Sequence, residues 1–240
     1  MARSSSPRPT GFLALLSVAT LLVFAALYCV AFVAQPDVTL GIVQKIFYFH
    51  VSAAIAMMLC LSCGSLLSLV DLIAPSDRVD ALAQSAIETG LAFAVMVLTS
   101  GPLWARKSWG AWWTWETRLT LTLMLLLLAA AVLGIRGMAA DGTGRKIAAA
   151  LASLAAPVAY LIHVAVEKWG GTHPMVLKGG GIQSPGMQLT FRVAMFAILL
   201  FATTLWTLRF RVLRLEQRIL ALRLEFSAQD VRRSRQGGPT

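Results

Sequence analysis

Long apolar runs are the feature that most restricts the fold of this chain. A helix needs about 20 mostly apolar residues to cross the ~30 Å hydrocarbon core of a bilayer, and six runs approach or exceed that length. Only 13% of the 240 residues are charged, whereas a soluble domain carries about 25%. Because the runs do not alternate apolar and polar residues, we predict an all-α polytopic membrane protein with six transmembrane helices. Their approximate bounds are Gly11–Ala34, Phe49–Ile73, Ala83–Leu103, Leu119–Ile135, Ile147–Val166 and Gln188–Phe210.

Basic residues are divided unequally between the two ends of the predicted helices. Six spans place both chain termini on one side, and the segments on that side carry fourteen of the 21 Lys and Arg residues. Eight of these fourteen lie between Arg209 and Arg235. Cytoplasmic segments of membrane proteins are enriched in Lys and Arg, so we predict that both termini are cytoplasmic. The segment between the third and fourth helices then faces outward.

The basic C-terminal segment is predicted to form a unit distinct from the membrane domain. Residues 1–210 hold the six spans, whereas residues 211–240 are expected to form a basic cytoplasmic helix and tail. Beside a membrane helix, such a tail faces the anionic lipid of the bilayer more often than nucleic acid, and we expect no nucleic-acid partner. The helix carries one apolar seam, which either lies on the inner leaflet or docks a protein partner. The seam residues are Val212, Leu215, Ile219, Leu222 and Phe226.

Tryptophan is concentrated in the outward segment between the third and fourth helices. Five of the seven tryptophans lie within twelve residues, from Trp104 to Trp115. An interfacial belt accounts for one or two tryptophans at a helix end, whereas five together can form a platform for a large planar apolar ligand. In a helical segment, four side chains spaced i, i+3, i+4 and i+7 share one face, and we expect Trp104 and Trp115 to lie off that face as interface anchors. The four residues are Trp109, Trp112, Trp113 and Glu116.

All three histidines, His50, His163 and His173, fall at or near the outward side. A single histidine near a helix end usually bonds a backbone carbonyl or a lipid headgroup. Imidazole is also the commonest metal ligand in proteins, and it binds haem iron in several classes of haem protein. The spacing of the three residues does not decide whether His50 meets His163 or His173 in space.

Three cations flank the tryptophans, namely Arg106, Lys107 and Arg118. Haem requires an apolar surface for its ring, axial donors for its iron and cations for its two propionates, and the outward side supplies all three. Contact with lipid headgroups explains the cations equally well. The residues therefore support a haem-binding hypothesis, and the alternative is a membrane protein whose tryptophans form only an interfacial belt.

Three sequence motifs resemble those of a known family. The stretch WGAWWTWETRLT, from Trp109 to Thr120, resembles the tryptophan-rich WWD signature of haem-handling proteins. Its RLT ending is similar to the haem exporter protein C family (CcmC), the C component of the bacterial cytochrome c maturation system. The stretches GIVQKIFYFHVSAA around His50 and KWGGTHP around His173 extend the resemblance over roughly Gly41–Met187.

The resemblance implies a protein that carries haem b, bound non-covalently as cargo, at the periplasmic face of the bacterial inner membrane. The WWD segment, residues 104–120, is then a periplasmic connection between the third and fourth transmembrane helices. Motif matching assigns axial ligation of the iron to His50 and His173. The other residues expected to contact haem are Trp109, Trp112, Trp113, Trp115, Glu116 and Arg118.

The resemblance also implies a set of partners. Members of the family pass haem to a periplasmic haem chaperone, the E component. They associate with an ATP-driven transporter made of the A and B components, and with a small D component. The chain has no Gly-rich phosphate-binding loop followed by Lys and Ser or Thr, so ATP hydrolysis is expected in a partner. We therefore expect a carrier and not an enzyme.

The sequence departs from the family pattern at three positions. Glu116 stands where the family usually has Asp, and Lys168 replaces the first of two adjacent tryptophans before His173. His163 is an additional donor near the same side. Two alternative functions stay open, a haem lyase that attaches haem to apocytochrome c and a permease subunit with a tryptophan belt. The length of the chain and the RLT ending argue against the lyase.

Overall fold

The computed structural model describes residues 9–38, 40–138, 142–174 and 184–236. Within these ranges the chain forms seven α-helices and no strand. A π-helical turn, Cys29–Val33, extends the first helix, and a 3-10 turn, Ile42–Lys45, precedes the second. The helices are α1 (Pro9–Tyr28), α2 (Ile46–Ile73), α3 (Asp77–Trp109), α4 (Thr117–Met138), α5 (Gly142–Ala152), α6 (Ala155–Trp169) and α7 (Pro185–Gln236).

Six of the resulting segments are long and apolar enough to cross a membrane, which confirms the six predicted spans. Helices α5 and α6 together form the fifth span, Gly142–Trp169, and a short turn at Ser153 and Leu154 separates them. Several helices extend beyond their apolar runs, and α3 continues to Trp109. Long amphipathic side chains and tryptophans allow a helix to continue into the interfacial layer, because they bury an apolar part and keep a polar end in water.

Helices α2 to α6 form a bundle, α7 packs against α2 and α3 of this bundle, and α1 packs mainly against α7. Helix α2 contacts α3 most extensively, and two glycines allow this close approach. A Cβ atom at Gly64 would lie 2.7 Å from the side chain of Ile87, and one at Gly90 would lie 2.6 Å from Leu61. Small residues at such positions let two helix backbones approach closely inside a membrane. The inner half of the α2–α3 interface is therefore densely packed.

A network of ion pairs joins the inner ends of four helices. Arg136 of α4 lies 2.5 Å from the Asp80 carboxylate of α3, and Arg145 of α5 lies 2.7 Å from Asp71 of α2 and 2.9 Å from Asp77. These acidic residues neutralise Arg136 and Arg145, which are two of the basic residues from which the cytoplasmic side was predicted. The network therefore fixes the inner ends of the helices relative to one another, opposite the tryptophan segment.

Helix α7 is continuous across residue 210, so the sixth span and the predicted C-terminal helix are one element of 52 residues. At 1.5 Å per residue it is about 78 Å long, well over twice the ~30 Å hydrocarbon core. Whether residues 211–240 act as a separate unit stays a prediction. The five residues of the predicted apolar seam are all at least 37% exposed: Val212, Leu215, Ile219, Leu222 and Phe226.

Candidate functional site

A cavity of about 240 Å³ opens at the outer end of the bundle, the end that carries the tryptophan segment. Helices α2, α3, α4 and α6 provide its walls, together with the segment between α3 and α4 and the loop after α6. A single water molecule needs roughly 10–15 Å³ by the same measure, so the space suits a much larger ligand. Most of the wall is apolar. The residues that contribute polar or aromatic groups to it are Phe47, His50, Trp104, Trp109, Trp112, Trp113, Arg118, Thr122, His163, Glu167 and His173.

His50 lies in the second turn of α2, and its ring rests against α3. Its Nδ1 atom is 2.8 Å from the Ser100 hydroxyl oxygen, which is itself 2.7 Å from the Met96 carbonyl oxygen. A Cβ atom at position 101 would lie 3.1 Å from His50 Cε1, so Gly101 leaves room for the ring. Neither Ser100 nor Gly101 was predicted from the sequence as a site residue. The only local sign of these two residues is that a polar residue and a glycine, followed by Pro102, end the apolar run of the third span.

His173 lies in the loop after α6 and reaches the same cavity. Its ring centroid is 6.3 Å from that of Trp109, in an edge-on arrangement. Its Nδ1 atom lies 3.1 Å from Arg118 Nη1 and 3.2 Å from the Pro174 carbonyl oxygen. Burial, followed by the nearby positive charge of Arg118, lowers the pKa of His173 to about 4. The ring is therefore neutral at pH 7, which is the form that binds a metal ion.

Arg118 connects three elements near the cavity. Besides its contact with His173, it donates hydrogen bonds from Nε to the Ile162 carbonyl oxygen at 3.2 Å and from Nη2 to the His163 carbonyl oxygen at 3.1 Å. It was predicted as a partner for a propionate. These three contacts use three of its five N–H groups, and they place Arg118 between α6 and the His173 loop. Arg118 also lines the cavity, so its contact with a propionate stays a prediction.

The tryptophan segment is not one helix, so the prediction of a single helical aromatic face is wrong. Helix α3 ends at Trp109, and Gly110 follows with φ +73°, a left-handed conformation that favours glycine and commonly ends helices. Residues 110–116 then run without regular structure to the start of α4. Three of the predicted aromatic residues nevertheless line the cavity without sharing a helical face, namely Trp109, Trp112 and Trp113.

The other two tryptophans of the segment were both predicted from spacing as interface anchors, and they differ in their environment. Trp104 lines the cavity and packs edge-on against Trp109 with ring centroids 5.5 Å apart, so it does not lie apart from the other tryptophans. Trp115 is 76% exposed and lies outside the cavity wall, where it packs against Trp113. This exposure suits an interface anchor, and the haem contact that the resemblance implies for Trp115 stays a prediction.

Glu116 joins the tryptophan segment to the His173 loop. Its Oε2 atom accepts hydrogen bonds from the Thr172 backbone N–H at 2.7 Å and from the Thr172 hydroxyl at 3.1 Å. Gly171 has φ +143°, and a Cβ atom there would lie 2.7 Å from Glu116 Oε2. This bridge pairs residues 56 positions apart, and it was not predicted from the sequence.

The same segment contains a concentration of buried polar atoms without hydrogen-bond partners among the described residues. Buried polar groups in native proteins are nearly always paired, so a cluster of exceptions indicates a ligand or solvent that completes them. Two are indole N–H donors on cavity residues, and such donors match the carboxylate oxygens of a propionate. The atoms are Trp104 Nε1, Ser108 Oγ, Trp113 Nε1, Thr114 Oγ1 and Glu116 Oε1.

The two remaining predicted cations lie at the rim. Arg106 donates a hydrogen bond to the Gly110 carbonyl oxygen, and its guanidinium carbon lies 6.0 Å from the centroid of the Trp112 ring. It thus stabilises the turn that ends α3. Lys107 is exposed on the same last turn. The cavity as a whole fits haem: it combines an apolar aromatic wall, three imidazoles and hydrogen-bond donors that lack partners among the described residues.

The fold and the site define a class of six-span membrane proteins that have an outward cavity lined by tryptophan and histidine. The chain belongs to the Heme exporter protein C family (CcmC), whose sequence model matches residues 8–229. A Heme exporter protein C of Bradyrhizobium diazoefficiens is 30% identical over an alignment of 245 positions, and the match covers 95% of this chain and 93% of the relative.

Two further relatives extend the comparison. The Heme exporter protein C of Escherichia coli K12 is 27% identical over 193 residues, which cover 77% of each chain. A Synechococcus protein named Cytochrome c biogenesis protein CcsA is 32% identical over 99 residues, which cover 41% of this chain and 30% of the relative. The match to the Escherichia coli protein spans most of both chains, whereas the match to the Synechococcus protein covers less than half of each.

Proposed function

We propose that this protein binds haem b non-covalently at the outer end of its helix bundle and delivers it to a periplasmic haem chaperone for cytochrome c maturation. The observation that carries this proposal is the arrival of His50 and His173, from separate elements, at one apolar cavity walled by four tryptophans. Family membership supports the same function, because relatives that match 77–95% of this chain are named Heme exporter protein C. The protein is a multi-pass protein of the bacterial inner membrane.

The chain supplies three kinds of contact to haem. His50 and His173 would ligate the iron. We propose no chemistry for the iron beyond accepting these two axial nitrogen ligands. Trp104, Trp109 and Trp113 would pack against the ring, since aromatic side chains bury large apolar areas and stack on planar groups. The unpartnered N–H groups of Trp104 and Trp113 would donate hydrogen bonds to the propionates, with Arg106 and Lys107 at the rim.

Delivery requires that the cavity be accessible from outside. Trp112 is 57% exposed although it lines the cavity, and Trp115 beside it is more exposed still. This aromatic rim is a suitable contact for a chaperone that must approach the haem edge. The loop that carries His173 is attached to the bundle by Arg118 and by the bridge between Glu116 and Thr172, and release of these contacts would free one axial ligand.

The proposed assembly is that of a carrier with partners. The E component would accept haem, and the A, B and D components would form the complex with this chain. The A and B components would hydrolyse ATP, because this chain has no phosphate-binding loop. The bilayer is a further partner through the spans and the basic helix. We propose that the protein has no catalytic turnover of its own.

Absorption spectra of the detergent-purified protein, oxidised and reduced, test this function. We expect a low-spin haem spectrum in the unaltered protein and in His163→Ala, which is the matched control because His163 also lines the cavity. His50→Ala and His173→Ala should each shift or lose that spectrum. Protein from haem-replete cells without a Soret band would overturn the proposal. Thioether formation on apocytochrome c without a chaperone would instead support the lyase.

A further inference from the structure

The hydroxyl group of Ser100 connects the backbone of α3 to the ring of His50. Its oxygen lies 2.7 Å from the Met96 carbonyl oxygen and 2.8 Å from His50 Nδ1. A serine hydroxyl has a single hydrogen to donate, and a carbonyl oxygen can only accept. Two acceptor oxygens 2.7 Å apart repel each other unless a hydrogen lies between them. The hydrogen of Ser100 therefore points to Met96.

The position of the Ser100 hydrogen also determines which nitrogen of His50 carries a proton. With its hydrogen committed to Met96, Ser100 Oγ can only accept from His50, so His50 Nδ1 carries the ring proton. In a neutral imidazole one nitrogen is protonated and the other holds a lone pair. The lone pair of His50 is then on Nε2, for which the described residues offer no hydrogen-bond donor. Gly101 leaves room for the ring in this position, since a Cβ atom there would lie 3.1 Å from His50 Cε1.

We propose that Ser100 is a positioning residue that fixes His50 in the Nδ1–H tautomer and so presents Nε2 as a ready ligand for iron. A hydrogen bond to the non-ligating nitrogen commonly orients metal-binding histidines and fixes their tautomer. The proposal deepens the proposed function, on which it rests for the nature of the ligand. The tautomer itself is a property of the ligand-free protein and is tested without haem.

His173 lacks an equivalent arrangement, so the two histidines are unequal. Its Nδ1 atom faces a donor, Arg118 Nη1 at 3.1 Å, and an acceptor, the Pro174 carbonyl oxygen at 3.2 Å. Both contacts cannot be hydrogen bonds at once, because the first requires a bare Nδ1 and the second a protonated one. Only the second leaves Nε2 free for iron. His50 is thus the histidine whose ligand-ready tautomer is already selected.

The first experiment measures the tautomer directly in the ligand-free protein. Nitrogen-15 NMR of ring-labelled histidine is simple here because the chain has three histidines, and His163→Ala and His173→Ala assign the His50 signals. We expect His50 to be protonated on Nδ1, and Ser100→Ala to produce a mixture of both tautomers. A proton on His50 Nε2 in the unaltered protein, or an unchanged tautomer in Ser100→Ala, overturns the proposal.

The matched control is the neighbouring residue Thr99. Its hydroxyl also bonds carbonyl oxygens of α3, at 2.9 Å and 3.0 Å, but it is exposed on another face of the helix and no hydrogen bond joins it to a histidine. Thr99→Ala should therefore leave the His50 signals unchanged. Ser100→Thr keeps a hydroxyl and should restore the Nδ1–H tautomer, which separates loss of the hydrogen bond from any general effect of changing this position.

The second experiment measures haem affinity by titration into the same variants. Loss of such a supporting residue typically lowers metal affinity 10–100-fold, so we expect a loss of that order in Ser100→Ala, and none in Thr99→Ala. Equal affinity in Ser100→Ala and the unaltered protein would overturn the positioning role. If no variant binds haem while the tautomer is as expected, the proposed function fails and the assignment of His50 stands.

Discussion

The bridge between Glu116 and Thr172 gives the sharpest quantitative prediction, because it joins the tryptophan segment to the loop that carries His173. Hydrogen bonds to charged groups contribute about 1.5–3 kcal/mol when buried. Thr172 is exposed, so water replaces part of the loss, and we assign about 1 kcal/mol to each of the two bonds. Glu116→Ala should then destabilise the closed loop by about 2 kcal/mol, which corresponds to about a 30-fold increase in its opening.

A graded series separates the contributions to this bridge. Thr172→Val removes only the hydroxyl bond and should increase opening about 5-fold, since about 1 kcal/mol is lost. Glu116→Gln keeps an acceptor without the charge and should fall between Thr172→Val and Glu116→Ala. Hydrogen exchange of the peptide that contains Thr172, measured in the ligand-free protein, reports this opening because local exchange follows local unfolding.

The same series has a clear refuting result. If exchange in Glu116→Ala stays within about twofold of the unaltered protein, the bridge does not hold the loop and the argument from its distances is wrong. Haem affinity should fall in the same order across the series, because a loop that opens more often presents His173 less often. If hydrogen exchange increases across the series while haem affinity is unchanged, opening of the loop does not affect haem binding.

Three further predictions concern the cavity wall and its loop. Replacing Trp112 and Trp113 together by Ala should lower haem content at least about 10-fold, since each aromatic contact contributes about 0.5–1.5 kcal/mol beyond its buried area; equal haem content at equal membrane insertion would contradict this. Gly171→Ala should speed exchange of the loop, because an added Cβ meets a carboxylate oxygen at 2.7 Å. Arg118→Gln should raise the pKa of His173 from about 4 by removing a nearby positive charge, whereas an unchanged NMR titration would contradict that cause.

The architecture was largely predictable from the sequence, because the length of an apolar run reports directly on the thickness of the bilayer. The runs identified all six spans, and only their ends differed, as at α3, which continues to Trp109. The helical face of the tryptophan segment was predicted wrongly. Gly110 adopts a left-handed conformation that ends the helix, and a glycine among tryptophans gives no sequence sign of which conformation it takes.

The contacts within the site were much less predictable. Their partners are far apart in the chain: His50 and Ser100 are 50 positions apart, and Arg118 and His173 are 55 apart. Such pairs depend on how α2, α3, α4 and α6 pack, and single-residue spacing carries no information on that packing. Residue types could name candidates for a metal ligand, but their convergence on one cavity required the structure.

The dense packing between α2 and α3 has a consequence for the movement of a ligand across the membrane through the helix bundle. The cavity reaches inward only to about Met57, and below it the described parts of α2 and α3 are held in contact at Gly64 and Gly90. A flat aromatic ring is about 3.5 Å thick, and the two helices would have to separate by at least that amount to let it pass. Among the described residues the cavity is therefore closed on its inner side by the α2–α3 contact. We expect a ligand to enter and leave it on the outer half of the membrane, where α2 and α3 do not have to separate.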